Sequence, residues 1–197
     1  MTNEEYISKL LNPKFWFEYA LQQKKIGDQI LNNCIPNKDF IDNVRERNDY
    51  SDFNSFWSNV HYHYGIGIEN GLKGLIIKDD PDMVHYEFNS DGDVILKNIG
   101  GKSGKSHDLL SIAENAGLFS PKYKPFKYES DIKALKIVLQ HLSDMILWGA
   151  RYPIPNGSNK YFKFDNSVPI VLVYGFHILD VIEPVFALFE TELKKIE

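Results

Sequence analysis

The residues best suited to chemistry fall in three short stretches of the chain. They are polar or charged, and they could share one cluster if the fold brings the stretches together: Glu69, Asn70 and Lys73; His107 and Asp108; Arg151 and Tyr152. Histidine suits proton transfer near neutral pH, and arginine stabilises a developing oxyanion. His107 and Arg151 are therefore the candidate catalytic residues, and the whole set is a candidate ligand-binding cluster.

A glycine- and lysine-rich segment, GGKSGKS at residues 100–106, adds two cations, Lys102 and Lys105. It lies between a strand-like run and a helix, which is the setting of a phosphate-binding P-loop. A Walker A motif requires a glycine where this chain has Ile99, so the segment is not that motif. We interpret it as a lysine-bearing loop that contributes Lys102 and Lys105 to anion binding, with help from the amides at the start of the next helix.

Neither a metal site nor a catalytic triad is predicted. His61 and His63 occupy positions i and i+2 of a helical segment, where side chains point about 200° apart and cannot chelate one ion. Ser106, His107 and Asp108 are adjacent in the chain, so they cannot adopt the geometry of a hydrolase triad. Ser106 is more simply explained as a helix N-cap. No cofactor is expected.

The charge distribution excludes a protein that binds nucleic acid with its whole surface. The 197 residues carry a net charge of −5, and the pI is about 5.7. Residues 38–96 are acidic, with 5 basic side chains against 12 acids, whereas residues 97–136 carry 8 lysines against 4 acids. One local surface is therefore suited to attracting an anion.

Length and composition favour a single domain covering residues 1–197. No apolar run reaches the ~18 residues that a membrane helix needs, and the first ten residues lack the apolar stretch of a signal peptide. We therefore expect a soluble, cytoplasmic protein without a membrane partner. Cys34 is the only cysteine, which excludes an internal disulfide and a cysteine-based zinc cluster.

Apolar periodicity predicts the helices that position the chemistry, and the strongest runs from about Asp52 to Lys78. Three of its glycines, Gly67, Gly71 and Gly74, lie on one side, which predicts a neighbouring backbone packed close against them. Glu69 and Lys73 form an i, i+4 pair with the acid first, in the same row as His61 and Gly65. We interpret this row as a solvated face in preference to a polar groove between helices.

Weaker patterns predict the remaining elements. They comprise an N-terminal helix divided near Pro13 and continuing toward Cys34, a loop at 36–52, a hairpin of 83–88 and 93–96 around Ser90-Asp91-Gly92, a helix from near Ser106 to Ala116 closed by Gly117, a helix from an N-cap at Ser130 to Pro153, and a helix from about 170 to 195 with a bend at Pro184. The predicted fold class is all-α, an up-and-down helical bundle with a small β-hairpin insertion at about 79–106.

Three motifs in this order resemble a known superfamily. They are YGIGIENGLKGLII at 64–77, SHDLL at 106–110 with Gly117 beyond it, and LWGARYPIP at 147–155. Together they are similar to the HEPN (higher eukaryotes and prokaryotes nucleotide-binding) superfamily, in particular to bacterial members with E-N-x-x-K, H-D-L and R-Y-P motifs. The resemblance covers roughly residues 53–155.

The resemblance implies a helical bundle, frequently dimeric, that is associated with RNA cleavage, nucleotide binding, or toxin–antitoxin and phage-defence systems. A homo-oligomer, with a dimer favoured, is therefore expected. Catalytic members resemble one another in an arginine followed four to six residues later by a histidine. This chain lacks that spacing, because the nearest histidine after Arg45 and Arg47 is His61, and the nearest after Arg151 is His177.

Three functions remain open from the sequence. The first is a non-catalytic HEPN-like module that uses the polar cluster to bind a nucleotide, an RNA or a partner protein. The second is a metal-independent ribonuclease in which His107 is the general base and Arg151 stabilises the phosphate charge. The third is a purely structural bundle that forms oligomers and buries the polar row as a satisfied network.

Overall fold

The computed structural model describes residues 1–34, 51–100, 107–123, 126, 128–149 and 178–196, with backbone alone at 34, 51–57 and 148–149. Within this part of the chain it is a helical bundle with one two-stranded antiparallel sheet, which confirms the predicted fold class. The predictions for residues 36–50, for Lys102 and Lys105, and for Arg151 and Tyr152 lie outside the described residues. No described helix is both long enough and apolar enough to span a membrane.

The described elements follow one another as α1 (Asn3–Leu10), α2 (Pro13–Cys34), α3 (Ser51–Asp79), a 3-10 turn (Pro81–Met83), β1 (Val84–Phe88), β2 (Val94–Ile99), α4 (Leu109–Asn115), α5 (Glu129–Asp144) and α6 (Glu183–Lys194). A wider π-helical turn, Met145–Gly149, extends α5, and another, Ile178–Ile182, leads into α6. The long third helix and the hairpin match the sequence predictions. Pro184 lies where the π-helical turn passes into α6, at a position that lacks a conflict with the missing proline N–H, and the predicted start of this helix near residue 170 lies outside the described residues.

Local chemistry sets the ends of these elements. Thr2 and Glu5 form a capping box at the start of α1, and Pro13 begins α2, so the N-terminal helix is divided there as predicted. Gly117 has φ 68°, the left-handed conformation that glycine adopts readily after a helix. In the hairpin, Gly92 has φ 84°, and the side-chain oxygen of Asn89 accepts hydrogen bonds from the backbone amides of Asp91 and Asp93.

Two predicted helix starts are wrong. The N-cap of α4 is Asp108, two residues beyond the predicted Ser106, and its carboxylate accepts a hydrogen bond from the Ser111 amide at 3.2 Å. The helix α5 begins at Glu129, so Ser130 is already helical and is not the N-cap. The extended residue before it is Tyr128, which provides no side-chain cap. Acidic residues in the first turn, Glu129 and Asp131, favour a helix start there through the helix dipole.

The helix α3 lies at the centre of the bundle, and α2 packs antiparallel to it. Gly74 of α3 lies beside Phe17, whereas Tyr64, almost three turns earlier, lies beside Gly27 of α2. On the same side α6 runs in the direction of α3. Its aromatic residues Phe186 and Phe189 are both fully buried, and their rings pack edge to face with centroids 5.8 Å apart.

The glycines of α3 do admit close neighbours, but these are mainly aromatic rings and not a backbone. A side-chain carbon at Gly71 would overlap the ring of Phe189, and one at Gly74 would lie 2.9 Å from the ring of Phe17. Gly67 faces the ring of Phe186, and only there does a backbone atom, the Ala20 carbonyl oxygen at 2.9 Å, approach as closely. The prediction of close packing is confirmed, and the packed groups differ from those expected.

Gly71→Ala should lower the free energy of unfolding by about 1–3 kcal/mol, because the added methyl overpacks a ring that has no free space. Chemical denaturation measures the change. Phe189→Leu in the Gly71→Ala background provides space for the methyl, so the double variant should lose less stability than the sum of the single losses. Strictly additive losses would contradict this contact.

Candidate functional site

The candidate site is centred on a buried carboxylate in the middle of α3. Glu69 is only 3% exposed, and both of its oxygens are engaged. Lys73, one helical turn later, donates to Oε1, and the ring nitrogen Nδ1 of His107 lies 2.9 Å from Oε2. The predicted solvated face is therefore wrong at this point, since the row is buried against the start of α4.

Packing between α4 and α5 holds His107 in place. His107 comes immediately before the N-cap Asp108, so the first turn of α4 fixes its backbone. The first helical amide, of Leu109, donates to the Ser143 hydroxyl at 2.9 Å, and that hydroxyl donates to the Leu139 carbonyl of α5. The imidazole therefore approaches Glu69 from a helix end that is attached to a third helix.

The charges in this cluster nearly cancel. Lys73 has a side chain that is 15% exposed, and its ammonium compensates the charge of the Glu69 carboxylate. An ionised carboxylate requires a donor at Nδ1, which leaves Nε2 as the second functional atom of the ring. The His107 side chain is 38% exposed, and no described residue hydrogen-bonds Nε2.

The other predicted ligand-binding residues do not join this cluster. Asn70 donates from its amide to the carbonyl of Ile66 at 2.7 Å and faces α1 and α2, away from His107. The Asp108 carboxylate caps α4. The structure therefore brings together Glu69, Lys73 and His107, and it separates Asn70 and Asp108 from them.

The histidines of α3 face different helices, as their spacing predicted. His61 is buried and its Nδ1 lies 2.9 Å from Nε2 of His141 in α5. His63 instead faces α2, where its Nδ1 lies 2.9 Å from the Gln23 side-chain oxygen, and burial lowers the pKa of its imidazole. Among the described residues no group of three histidine, cysteine or acidic side chains is placed to hold a metal ion.

A second buried carboxylate, Glu192 in α6, was missed by the sequence analysis. It is 2% exposed and accepts hydrogen bonds from Lys78 and Lys195, both at 2.6 Å. Burial by itself would raise the pKa of this carboxyl, but the two lysines outweigh burial and lower the pKa. The signal was present in the sequence, because Glu192 continues the apolar stripe of Val185 and Phe189 at helical spacing.

Comparison with protein-family models, with curated proteins and with solved structures gave no match. The likeness to the HEPN superfamily thus rests on the three motifs alone. Of these, the R-Y-P motif and Ser106 of the H-D-L motif lie outside the described residues. The E-N-x-x-K motif supplies both Glu69 and Lys73, and the H-D-L motif supplies His107, so the two motifs do meet in space.

Glu69→Gln should lower the free energy of unfolding by about 2 kcal/mol or more, because it removes the buried charge that compensates Lys73 and is in hydrogen-bond contact with His107. Glu114→Gln is the matched control. Its carboxylate is 4.0 Å from the Lys136 ammonium on an exposed surface, so its loss should cost less than about 1 kcal/mol. Denaturant titration compares the two variants, and equal losses would show that the Glu69 network contributes no special stability.

Proposed function

We propose that this helical bundle is a binding module for a phosphate-bearing ligand, a nucleotide or an RNA, and that His107 is its central contact group. The observation that carries the proposal is the bond between the half-exposed imidazole and the buried Glu69 carboxylate. A side chain fixed at one ring nitrogen loses little further entropy when a ligand contacts the other. The cluster thus has the rigidity expected of a binding group.

The charges around His107 favour an anion. The Glu69 charge is already neutralised by Lys73, so a phosphate near the imidazole does not face an uncompensated carboxylate. In the chain, Lys102 and Lys105 come within five residues before His107. Residues 97–136 as a whole carry an excess of lysines, which raises the local concentration of an anionic ligand.

The resemblance to the HEPN superfamily supports the same proposal from the sequence. It suggests a role in a toxin–antitoxin or defence system, in which the ligand is a nucleotide or RNA and a partner protein or second copy of the chain completes the assembly. Arg151 and Tyr152 are the further residues that the motif likeness proposes for this site.

His107→Gln should weaken the binding of a nucleotide or an RNA oligonucleotide by about fivefold or more, because a neutral amide replaces an imidazole that can carry positive charge. Glutamine can still donate a hydrogen bond to Glu69, so the variant should retain most of its stability. A panel of nucleoside mono-, di- and triphosphates and a fluorescent RNA oligonucleotide, titrated by thermal shift and anisotropy, measures binding.

The matched control is His85→Gln, which changes an exposed histidine on β1. Equal affinity of both variants and the unchanged protein would contradict a contact role for His107.

If no member of the panel binds, and His107→Gln unfolds as readily as Glu69→Gln, the purely structural function gains support instead. The bonds of Glu69 to Lys73 and His107 are those that a satisfied structural network would contain.

The same hydrogen bond favours a second candidate, the metal-independent ribonuclease. A carboxylate that orients an imidazole is the arrangement that prepares a histidine to act as general base. In this function His107 takes the proton of the RNA 2′-hydroxyl, and Arg151 is the proposed stabiliser of the phosphate. Cleavage of a labelled RNA in the presence of EDTA, lost in His107→Gln and retained in His85→Gln, would distinguish the ribonuclease from the binding module.

A further inference from the structure

A cavity of about 330 Å³ opens to the surface where α1, the first half of α2 and β2 meet, and Asn70 of α3 lies in its wall. Small-molecule sites are typically this size or larger, at about 300–1,000 Å³. Its walls are almost entirely apolar, and four of the six side chains that matter here are aromatic: Tyr6, Leu10, Phe15, Trp16, Tyr19 and Leu96.

The aromatic walls are held in place and yet remain accessible. The Trp16 indole donates its Nε1–H to the carbonyl oxygen of Leu10 at 2.9 Å, which ties the first turn of α2 to the end of α1. Phe15 is 45% exposed and Tyr19 is 46% exposed, and both line the same cavity. The cavity therefore offers preformed ring faces to a ligand.

Two polar groups at this cavity limit the chemistry of a ligand. The Lys9 ammonium lies 5.8 Å from the centre of the Phe15 ring, and no acidic side chain of the described residues pairs with it. Asn70 uses its amide nitrogen for the Ile66 carbonyl, and no described group donates to its side-chain oxygen. An apolar cleft with a cation at its edge is complementary to an apolar body that carries a negative charge.

We propose that this cavity is a binding site for a small organic anion with a flat aromatic body, such as an aryl carboxylate. The ring lies against Phe15, Trp16 and Tyr19, where aromatic faces and edges pack with a gain beyond that of buried area alone. The carboxylate pairs with Lys9. The oxygen of Asn70 accepts a hydrogen bond from a ring N–H or hydroxyl where the ligand has one.

The site is independent of the proposed function at His107. Glu69 and Asn70 are neighbours in α3, but their side chains contact different elements, α4 in one case and α1 with α2 in the other. Failure of one proposal therefore leaves the other intact.

The experiment titrates 2-naphthoate and its neutral analogue 2-naphthalenemethanol into the 15N-labelled protein. The indole N–H signals of its three tryptophans, Trp16, Trp57 and Trp148, are recorded by NMR. Trp16→Phe identifies the signal of Trp16. We expect both ligands to shift that signal selectively, and naphthoate to bind more tightly than the alcohol.

Variants separate the charge from the rings. Lys9→Gln should weaken naphthoate about fivefold and leave the alcohol unchanged, whereas Lys133→Gln, an exposed lysine of α5, should alter neither. Tyr19→Ala should weaken both ligands, and Phe88→Ala, an exposed ring on β1, should weaken neither. Tyr19 and Lys9 are exposed enough for these variants to fold, which far-UV circular dichroism checks.

Three results would overturn the proposal. The first is no shift of the Trp16 indole at millimolar naphthoate, and the second is equal shifts of all three indoles, which indicates non-specific binding. The third is an effect of Lys9→Gln that equals that of Lys133→Gln, because the anion would then not be held at this cavity.

Discussion

A carboxylate buried in a protein must be neutralised where it lies, and Glu69 imposes this condition on the middle of the bundle. Moving an ionised group out of water is costly unless partner groups compensate its charge. Glu69 is 3% exposed, so its carboxylate has almost no contact with solvent. One partner, Lys73, comes from the same helix and needs no tertiary fold. The other, His107, arrives only if the start of α4 packs against α3, which makes the carboxylate a fixed point for the surrounding elements.

The two sides of α3 pack against their neighbours in different ways. On the glycine side, absent side chains make room for the buried rings of Phe186 and Phe189, so α6 packs against α3 through aromatic contacts. On the other side the polar row meets α4 and α5, where His61 pairs with His141 and Glu69 pairs with His107. The apolar side contributes packing that stabilises the bundle, and the polar side contributes side chains that can bind a ligand or transfer a proton.

The sequence predicted the elements well, because their signals are local. The apolar period of α3, the turn glycine Gly92, the break at Pro13 and the cap at Gly117 are each contained in a few neighbouring residues. The sequence analysis placed two helix starts at Ser106 and Ser130 instead of Asp108 and Glu129, because several nearby residues can cap a helix equally well. Only tertiary contacts, such as the bond from Leu109 to Ser143, select among them.

The site was harder to predict than the fold, for a physical reason. An i, i+4 pair of glutamate and lysine has the same sequence pattern on a solvated face and in a buried network, and the difference lies in what covers it. His107 is 38 residues from Glu69, and Glu192 is 114 residues from Lys78, so neither contact has a local signature. Asn70, adjacent to Glu69, was grouped with it by sequence although a helix turns neighbouring side chains about 100° apart.

The bond between His107 and Glu69 can be tested directly by the tautomer of the imidazole. Long-range 1H–15N correlation NMR, recorded where the ring is neutral and assigned with His107→Gln, distinguishes a proton on Nδ1 from one on Nε2. We predict the Nδ1–H tautomer, because an ionised Glu69 carboxylate 2.9 Å from that nitrogen can only accept a hydrogen bond, and we predict that this preference is lost in Glu69→Gln. An Nε2–H tautomer in the unchanged protein, insensitive to Glu69, would contradict the central place given to this carboxylate.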